Sequence, residues 1–250
     1  MRNNANFLLI ACVLVLLCAC AAREPGVQND QVSIRWNSST RAISNTQPWS
    51  HYKLPGKAPS RFEYIVKDGR DAIAASAQSS ASMLRQRTNV ASTNLGQLTF
   101  SWKLPQLIQY ADMSRREFDD SPVRVVLAFE GDRTKLSAKN AMLSELAHAL
   151  TGEPLPYATL MYVWCNECEP YKVIFNPHTD RIRKLPLESG AGKLNRWLDY
   201  ERNVRADFVQ AFGEEPGALT SISIMTDTDN TKSAAHAWYG PVSLLPISNK

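Results

Sequence analysis

Residues 61–67 read RFEYIVK, with apolar Phe62, Tyr64 and Val66 at every second position. This alternation, followed by the turn sequence Lys-Asp-Gly-Arg at 67–70, predicts a half-buried strand. Similar runs recur at LTFSWKL (98–104), VRVVLAFE (123–130), YATLMYVW (157–164), YKVIF (171–175), LTSISIM (219–225) and AAHAWYGPVSLL (234–245). Many such strands without helices alternating between them predict an all-β, antiparallel sandwich.

Two segments with helical spacing interrupt the strands. Ser137 is a candidate N-cap for AKNAMLSELAHAL, in which Met142, Leu146 and Ala149 share one face. A longer helix is predicted over residues 193–212, with Gly213 as its C-cap. Both lie in connections between strands, so we expect two inserted helices that cover an end or a face of the sandwich.

The N-terminus has the pattern of an export signal. Arg2 is followed by the apolar run 7–17, which is too short for a typical membrane span, and by Leu17-Cys18-Ala19-Cys20. That order resembles bacterial lipoprotein signals, which are cleaved before a Cys that then receives a lipid. We expect residues 1–19 to be the signal peptide, 20–30 a flexible tether and 31–250 one domain, with Cys20 as the lipidation site.

Two alternatives for this segment stay open: an ordinary secretory signal cleaved after Ala19, Ala21 or Ala22, or a retained transmembrane anchor. The residue after Cys20 is Ala21 rather than Asp, which by resemblance to enterobacterial sorting favours the outer membrane. The lipoprotein interpretation therefore predicts a bacterial envelope protein that faces the periplasm and contacts the membrane through its lipid.

Charge argues against a nucleic-acid partner. The chain has 28 Lys and Arg against 24 Asp and Glu, for a net charge of +4, and the basic residues are scattered. Nucleic-acid binding needs a clustered basic face. The Arg and acidic residues between 112 and 124 are more typical of ion pairs that hold loops, with an acidic or sulfated ligand as the alternative.

Cys165 and Cys168 are the cysteines that remain after the presumed lipid site. A zinc site would need further Cys or His partners, and a redox motif would open a helix, whereas this pair follows the strand-like YATLMYVW. We expect a local disulfide across a hairpin tip at Asn166-Glu167, because exported proteins meet an oxidising compartment.

Several strings together resemble one bacterial family. They are LTFSWKLPQLIQYAD, DDSPVRVVLAFEGD, YATLMYVW, RIRKLPLESG and AFGEEPGALTSISIMTDTDNT, and they resemble the domain of unknown function 3047 family over residues 32–246. The resemblance implies a jelly-roll sandwich similar to galactose-binding-like domains, which often bind carbohydrate. Many such jelly rolls place a calcium-ligating Asp before the last strand, where this chain has Tyr239-Gly240-Pro241.

Three oxygen-bearing side chains, Asp227, Asp229 and Asn230, form the first candidate site. Their spacing suits a hard cation such as calcium, but the EF-hand positions that should hold Gly and Glu hold Lys232 and Trp238. A strand-end turn that binds backbone amides is the favoured interpretation, with ligand hydrogen bonding as a third. We therefore expect no cofactor or metal, with calcium as the one cation left open.

Glu130 and Asp132 in FEGD, together with Asp227 or Asp229, could supply the carboxyl pair of a glycosidase. A turn with Gly131 at its bend is the favoured alternative. Trp102 and Trp164 lie on predicted strands and either fill the core, which is the default, or stack on a sugar. The sequence thus favours a non-catalytic module that binds a partner or ligand such as carbohydrate, over a glycan hydrolase or an envelope scaffold.

Overall fold

The structure, a computed structural model, describes residues 48–245. The predicted signal peptide, the tether and Cys20 lie outside these residues. Within the described range, no helix combines the length and the apolar character needed to span a membrane.

Strands are the main regular secondary structure of this range. They are β1 (Ser50–Lys53), β2 (Arg61–Lys67), β3 (Arg70–Gln78), β4 (Ala81–Val90), β5 (Gln97–Lys103), β6 (Ser121–Phe129), β7 (Ala158–Cys165), β8 (Ile174–Phe175), β9 (Ile182–Ser189), β10 (Leu198–Asn203), β11 (Leu219–Asp227), β12 (Ala234–Tyr239) and β13 (Ser243–Leu245). The helices are α1 (Ala138–Thr151), between β6 and β7, and α2 (Val204–Phe212), between β10 and β11.

The strands form two sheets that pack face to face as a jelly-roll β-sandwich. One sheet has the order β1-β4-β11-β6-β7-β9-β8, and the other has β10-β5-β12-β3-β2 with β13 beside β5. Neighbouring strands are antiparallel, except that β7 and β9 run parallel. The predicted fold class, all-β with two inserted helices, is confirmed.

The core lies between the sheets and is rich in aromatic side chains. Phe100 stacks on Tyr162 with ring centroids 5.5 Å apart and on Tyr200 at 5.2 Å. Trp102 donates from Nε1 to the Tyr200 hydroxyl at 3.2 Å, and Trp164 donates from Nε1 to a backbone carbonyl at 2.9 Å. Each indole thus satisfies its polar atom while burying its whole ring.

The second helix is shorter than the sequence predicts. Residues 198–203 form β10 instead, because Leu198 and Tyr200 alternate and pair with Trp102 and Phe100 across β5. The remaining helix, α2, begins at the N-cap Asn203 and ends at the predicted Gly213, which has φ 71°. Leu198 and Tyr200 fit the spacing of a helix and also the period of two of a strand. Pairing with β5 favours the strand over the helix.

The region of the two cysteines also differs from the predicted hairpin. A disulfide joins Cys165 and Cys168. However, β7 pairs with β6 and β9, while the short β8 pairs with β9. The disulfide therefore closes a turn at the end of β7, not the tip of a hairpin between β7 and β8.

Candidate ligand-binding groove

The outer face of the seven-stranded sheet carries the site. Along β6, Val125 and Leu127 point into the core, so Arg124 and Val126 lie on the outer face. The register then places Arg85 of β4 and Ser223 of β11 in one row with Val126. Charged and apolar side chains consequently lie next to each other on the same face.

One half of this outer face is covered by the connection between β5 and β6. Lys184 is completely buried and donates from Nζ to the Met113 carbonyl at 2.8 Å and to Asp119 at 2.6 Å. Arg124 donates to Asp119 at 3.1 Å and holds both carboxylate oxygens of Asp227, at 3.0 and 3.1 Å. These buried charges bind the connection to the sheet.

Three carboxylates meet at the edge of this charged half. Oxygens of Asp120, Asp227 and Asp229 lie within 4.8 Å of one another. Asp120 accepts hydrogen bonds from the backbone amides of Asn230 and Thr231, at 3.1 and 2.6 Å, and Asp229 pairs with Lys57. Donor groups of the protein therefore contact all three carboxylates, although the backbone amides of the predicted turn are bound by Asp120 rather than by Asp227 or Asp229. Calcium stays the alternative that the sequence leaves open at these carboxylates.

Burial shifts the pKa values of ionisable side chains in this charged half. Burial raises the pKa of Asp227 to about 6; Arg124 opposes the rise, and the neighbouring Asp120 adds to it. Burial and the nearby Arg124 lower the pKa of Lys184 to about 8. Although burial acts against its charge, Asp119 has a lowered pKa because Arg124 and Lys184 flank it. The pKa values of these three groups therefore depend on one another.

The structure does not bring the predicted carboxyl pair together. Glu130 follows the β6 residue that pairs with Leu219, whereas Asp227 lies at the opposite end of β11. Eight residues of extended strand separate these two ends by about 25 Å, far beyond the spacing of a glycosidase pair. Asp132 accepts from the Thr134 backbone amide at 3.1 Å and is the N-cap of a short 3-10 helix, Arg133–Lys135, that follows FEGD.

Trp102 and Trp164 are not available to stack on a ligand. Both are 0% exposed. Sugar binding by an aromatic ring needs an accessible ring face, so these two positions serve the core in this structure.

Helix α1 has its polar and apolar sides reversed relative to an ordinary surface helix. Its buried residues are Asn140 and Ser144, held by Thr179 at 2.8 Å and by Arg133 at 3.3 Å. Its apolar Leu146 and Leu150 are 55% and 65% exposed. The predicted apolar face therefore does not pack on the sandwich, because polar contacts fix the opposite side of the helix.

Between α1 and the open half of the outer face lies a cavity of about 850 Å³. We name it the α1 groove; it is lined on the sheet by Met83, Val126, Ala128, Met161 and Met225, on α1 by Leu143, Leu146, Ala147 and Leu150, and beyond α1 by Pro154, Leu155 and Pro156. Its floor crosses six neighbouring strands from β1 to β9, about 24 Å. The volume is typical of small-molecule sites.

Two arginines and one carboxylate lie at the β4 side of the α1 groove. Arg85 holds Glu153 with two hydrogen bonds, at 2.9 and 3.2 Å, and its guanidinium lies 3.9 Å from the centroid of the Tyr52 ring. Arg87, whose side chain is 50% exposed, pairs with the same Glu153. The hydrogen bond from Arg85 is the main cause of the lowered pKa of Glu153.

Residues 47–243 match the family described as "Protein of unknown function (DUF3047)". The chain belongs to this family. A comparison with curated proteins finds no match. The α1 groove is thus a feature of a DUF3047 protein.

Two solved structures are similar to this DUF3047 chain. One is the xyloglucanase domain of NopAA, a type three effector from Sinorhizobium fredii, in complex with cellobiose: 8% identity, TM-score 0.43, covering 82% of this chain and 96% of that one. The other is a loop-swap mutant of Necallimastix patriciarum Xyn11A: 9% identity, TM-score 0.36, covering 82% and 94%. Likeness at this level does not extend to a shared substrate.

Sequence reasoning missed the residues of the α1 groove in this DUF3047 protein. The available signal was SASMLRQR (80–87), where Met83, Arg85 and Arg87 alternate with small or buried residues. Such a strand mixes apolar and charged residues on its outer face, which is unusual for a face in contact with water. The lining from α1 could not be recognised, because its apolar face resembled that of any core-facing helix.

Proposed function

We propose that this chain is an exported envelope lipoprotein whose jelly-roll domain binds a ligand in the α1 groove and does not catalyse a reaction. The observation that carries the proposal is the reversed helix. Leu146 and Leu150 stay exposed beside an apolar sheet face, while the polar Asn140 and Ser144 are the buried residues of α1.

Exposed apolar surface of this kind is uncommon in a protein without a partner for it. Contiguous apolar patches rimmed by polar groups usually mark binding sites, and most small-molecule sites are apolar with a few polar groups. The α1 groove has this composition, since Met and Leu side chains form its floor and wall and Arg85, Arg87 and Glu153 lie at one side.

The chemistry of the α1 groove favours binding over glycan hydrolysis. Its lining carboxylates are Glu130 and Glu153. Glu130 pairs with Arg133 at 3.4 Å, and Glu153 has a lowered pKa. A glycosidase needs one carboxyl group with a raised pKa as its general acid, so the geometry supports a non-catalytic role better.

Carbohydrate binding stays a prediction. Stacking of a sugar needs an exposed aromatic face, and the aromatic ring that lines the α1 groove, Tyr52, has the Arg85 guanidinium over it. Screening residues 30–250 against plant, microbial and peptidoglycan glycans tests this prediction. Absence of signal across the three classes would remove carbohydrate from the candidates.

Anchoring through Cys20 is proposed from the sequence alone. Cys20→Ser removes the thiol that would carry the lipid, so we expect the protein to leave the membrane fraction of bacterial cells. A variant that stays in the membrane fraction would contradict lipid anchoring while leaving the binding proposal intact.

Binding in the α1 groove is tested with the neutral fluorescent probe N-phenyl-1-naphthylamine. We expect saturable fluorescence enhancement with the wild type, and its loss with the double variant Leu146→Asn/Leu150→Asn. Val66→Asn is the matched control, because Val66 is a similarly exposed apolar residue (63%) on the other sheet. Equal enhancement by the double variant, or none by the wild type, would overturn the proposal.

A further inference from the structure

We propose that the ligand of the α1 groove is an anionic amphiphile with a flexible alkyl chain, whose head group is bound by Arg87 beside Arg85. This inference rests on the proposed function and adds the chemical class of the ligand. Its two parts, the chain and the head group, are carried by different observations.

The floor of the α1 groove points to a flexible chain. Met83, Met161 and Met225 pack around Val126. Methionine side chains are unbranched and adapt their shape, and they are common at surfaces that accept variable apolar partners. A floor of this kind conforms to an alkyl chain, whereas recognition of a rigid ring system is better served by fixed aromatic surfaces.

The wall of the α1 groove agrees with an extended ligand. Leu143, Leu146 and Leu150 recur at intervals of three and four residues, so they lie in one row along α1. This row faces the methionine floor across the cavity. Two parallel apolar surfaces suit a long, thin apolar group.

The charges at the β4 side point to an anionic head group. Glu153 is the carboxylate partner of both Arg85 and Arg87. The other carboxylate lining the cavity, Glu130, pairs with Arg133. The two β4 arginines therefore carry one positive charge more than the carboxylate that pairs with them in the α1 groove. An anionic ligand would compensate this charge.

Arg87 is the arginine that is free to change its partner. Arg85 is pinned by its two bonds to Glu153 and by Tyr52, and its buried Nε has no acceptor among the described residues. The half-exposed Arg87 can turn to a ligand without leaving Glu153 unpaired. A guanidinium binds a carboxylate or a phosphate through paired hydrogen bonds. Both a fatty acid and a lysophospholipid present such an anion on an alkyl chain.

The test is displacement of the fluorescent fatty acid 11-(dansylamino)undecanoic acid from the full mature chain. The competitors are palmitate, 1-palmitoyl lysophosphatidylglycerol and the neutral hexadecanol. We expect at least one anionic competitor to displace the probe at a concentration about tenfold lower than hexadecanol, a difference of about 1.4 kcal/mol. Displacement by palmitate alone identifies a free fatty acid, and displacement by the lysophospholipid identifies a phosphate head group.

Arg87→Gln should reduce the advantage of the anionic competitor about tenfold and leave the dissociation constant of hexadecanol unchanged, once the weaker binding of the anionic probe to this variant has been measured and corrected for. Arg70→Gln is the matched control: it is also a half-exposed arginine paired with a carboxylate, Asp199, but lies on the other sheet.

The result that would overturn this inference is displacement by hexadecanol at the same concentration as both palmitate and the lysophospholipid, with no effect of Arg87→Gln. Failure of all three amphiphiles to displace the probe would overturn it as well. In both cases, saturable binding of N-phenyl-1-naphthylamine that is lost in Leu146→Asn/Leu150→Asn would still support the proposed function. Loss of that neutral-probe result would instead remove the proposed function itself.

Discussion

The two halves of the outer face of the seven-stranded sheet differ in what covers them. In the charged half, around Arg124, a chain connection covers the sheet, and the buried carboxylates have donor groups from the protein. In the open half, two residues further along β6, Val126 borders the α1 groove, and the helix above it keeps its apolar side exposed. The first half is covered within the described chain, and the second is the half for which we propose a ligand.

This difference separates side chains that stabilise the fold from side chains that indicate a binding site. Buried polar groups that are fully paired rigidify a fold, whereas apolar groups left in contact with water indicate a missing partner. The carboxylates attracted attention in the sequence because acidic clusters can bind metals or perform catalysis. The side chains that indicate a binding site in the structure are instead the methionines and leucines that line the α1 groove.

The largest loss of stability is expected when the ion pairs of the charged half are broken. Arg124→Met leaves Asp119 and Asp227 buried beside other carboxylates without their main cation. Removing one partner of a buried ion pair typically costs about 3–5 kcal/mol, and we expect a loss of unfolding free energy of this size in urea titrations. Lys172→Met, in a fully exposed pair with Glu169, is the control and should change stability by less than about 0.5 kcal/mol. Equal losses in the two variants would contradict the account of this half.

The pH dependence of stability tests the same half. Asp227 has a pKa raised from 3.8 to about 6, so between these values it stays protonated in the folded protein while the unfolded chain releases the proton. Stability of the wild type relative to Asp227→Asn should therefore fall as pH rises from 4 to 6, by up to about 3 kcal/mol. Urea unfolding of the two proteins at pH 4, 5, 6 and 7 measures this. Parallel pH curves would argue against a raised pKa.

The disulfide is expected to have a smaller effect. Cys165 and Cys168 close a very short loop, for which the chain-entropy estimate is about 2 kcal/mol. The double variant Cys165→Ser/Cys168→Ser should lose at most this amount, as measured by urea unfolding, and retain binding in the α1 groove. A loss well above that of Arg124→Met would show that the disulfide, not the charged half, is the main constraint in this region.

The smallest effect on stability is expected in the α1 groove. Leu146→Asn replaces a side chain that is 55% exposed, so we expect a change in unfolding free energy within about 0.5 kcal/mol. Leu127→Ala, on the inner face of β6, should cost about 2–5 kcal/mol. Similar losses in the two variants would mean that Leu146 serves the core, and the contrast between the two halves would disappear.

Local patterns predicted much of the fold. The alternation of Phe62, Tyr64 and Val66 located β2 with its observed bounds, and Ser137 and Gly213 were identified as helix caps. These features depend on a few neighbouring residues. The strand β10 was mistaken for helix because Leu198 and Tyr200 become a strand only through pairing with β5, more than 90 residues away.

The α1 groove could not be predicted from local patterns, because it too depends on residues that are distant in the sequence. The floor of the α1 groove brings Met83, Met161 and Met225 together from β4, β7 and β11, which are neighbours only through the order of the sheet. The reversed orientation of α1 depends on contacts of Asn140 with Thr179 and Asp180. Neither periodicity nor composition contains this information.

Methionine methyl groups report directly on ligand binding in the α1 groove. In protein labelled with ¹³C at the methionine methyls, the resonances of Met83, Met161 and Met225 report on the α1 groove, and that of the buried Met113 reports on the charged half. On addition of palmitate, we expect saturable shifts of the three groove resonances, with Met113 nearly unchanged. Uniform small shifts of all four resonances, or none at all, would contradict a ligand site in the α1 groove.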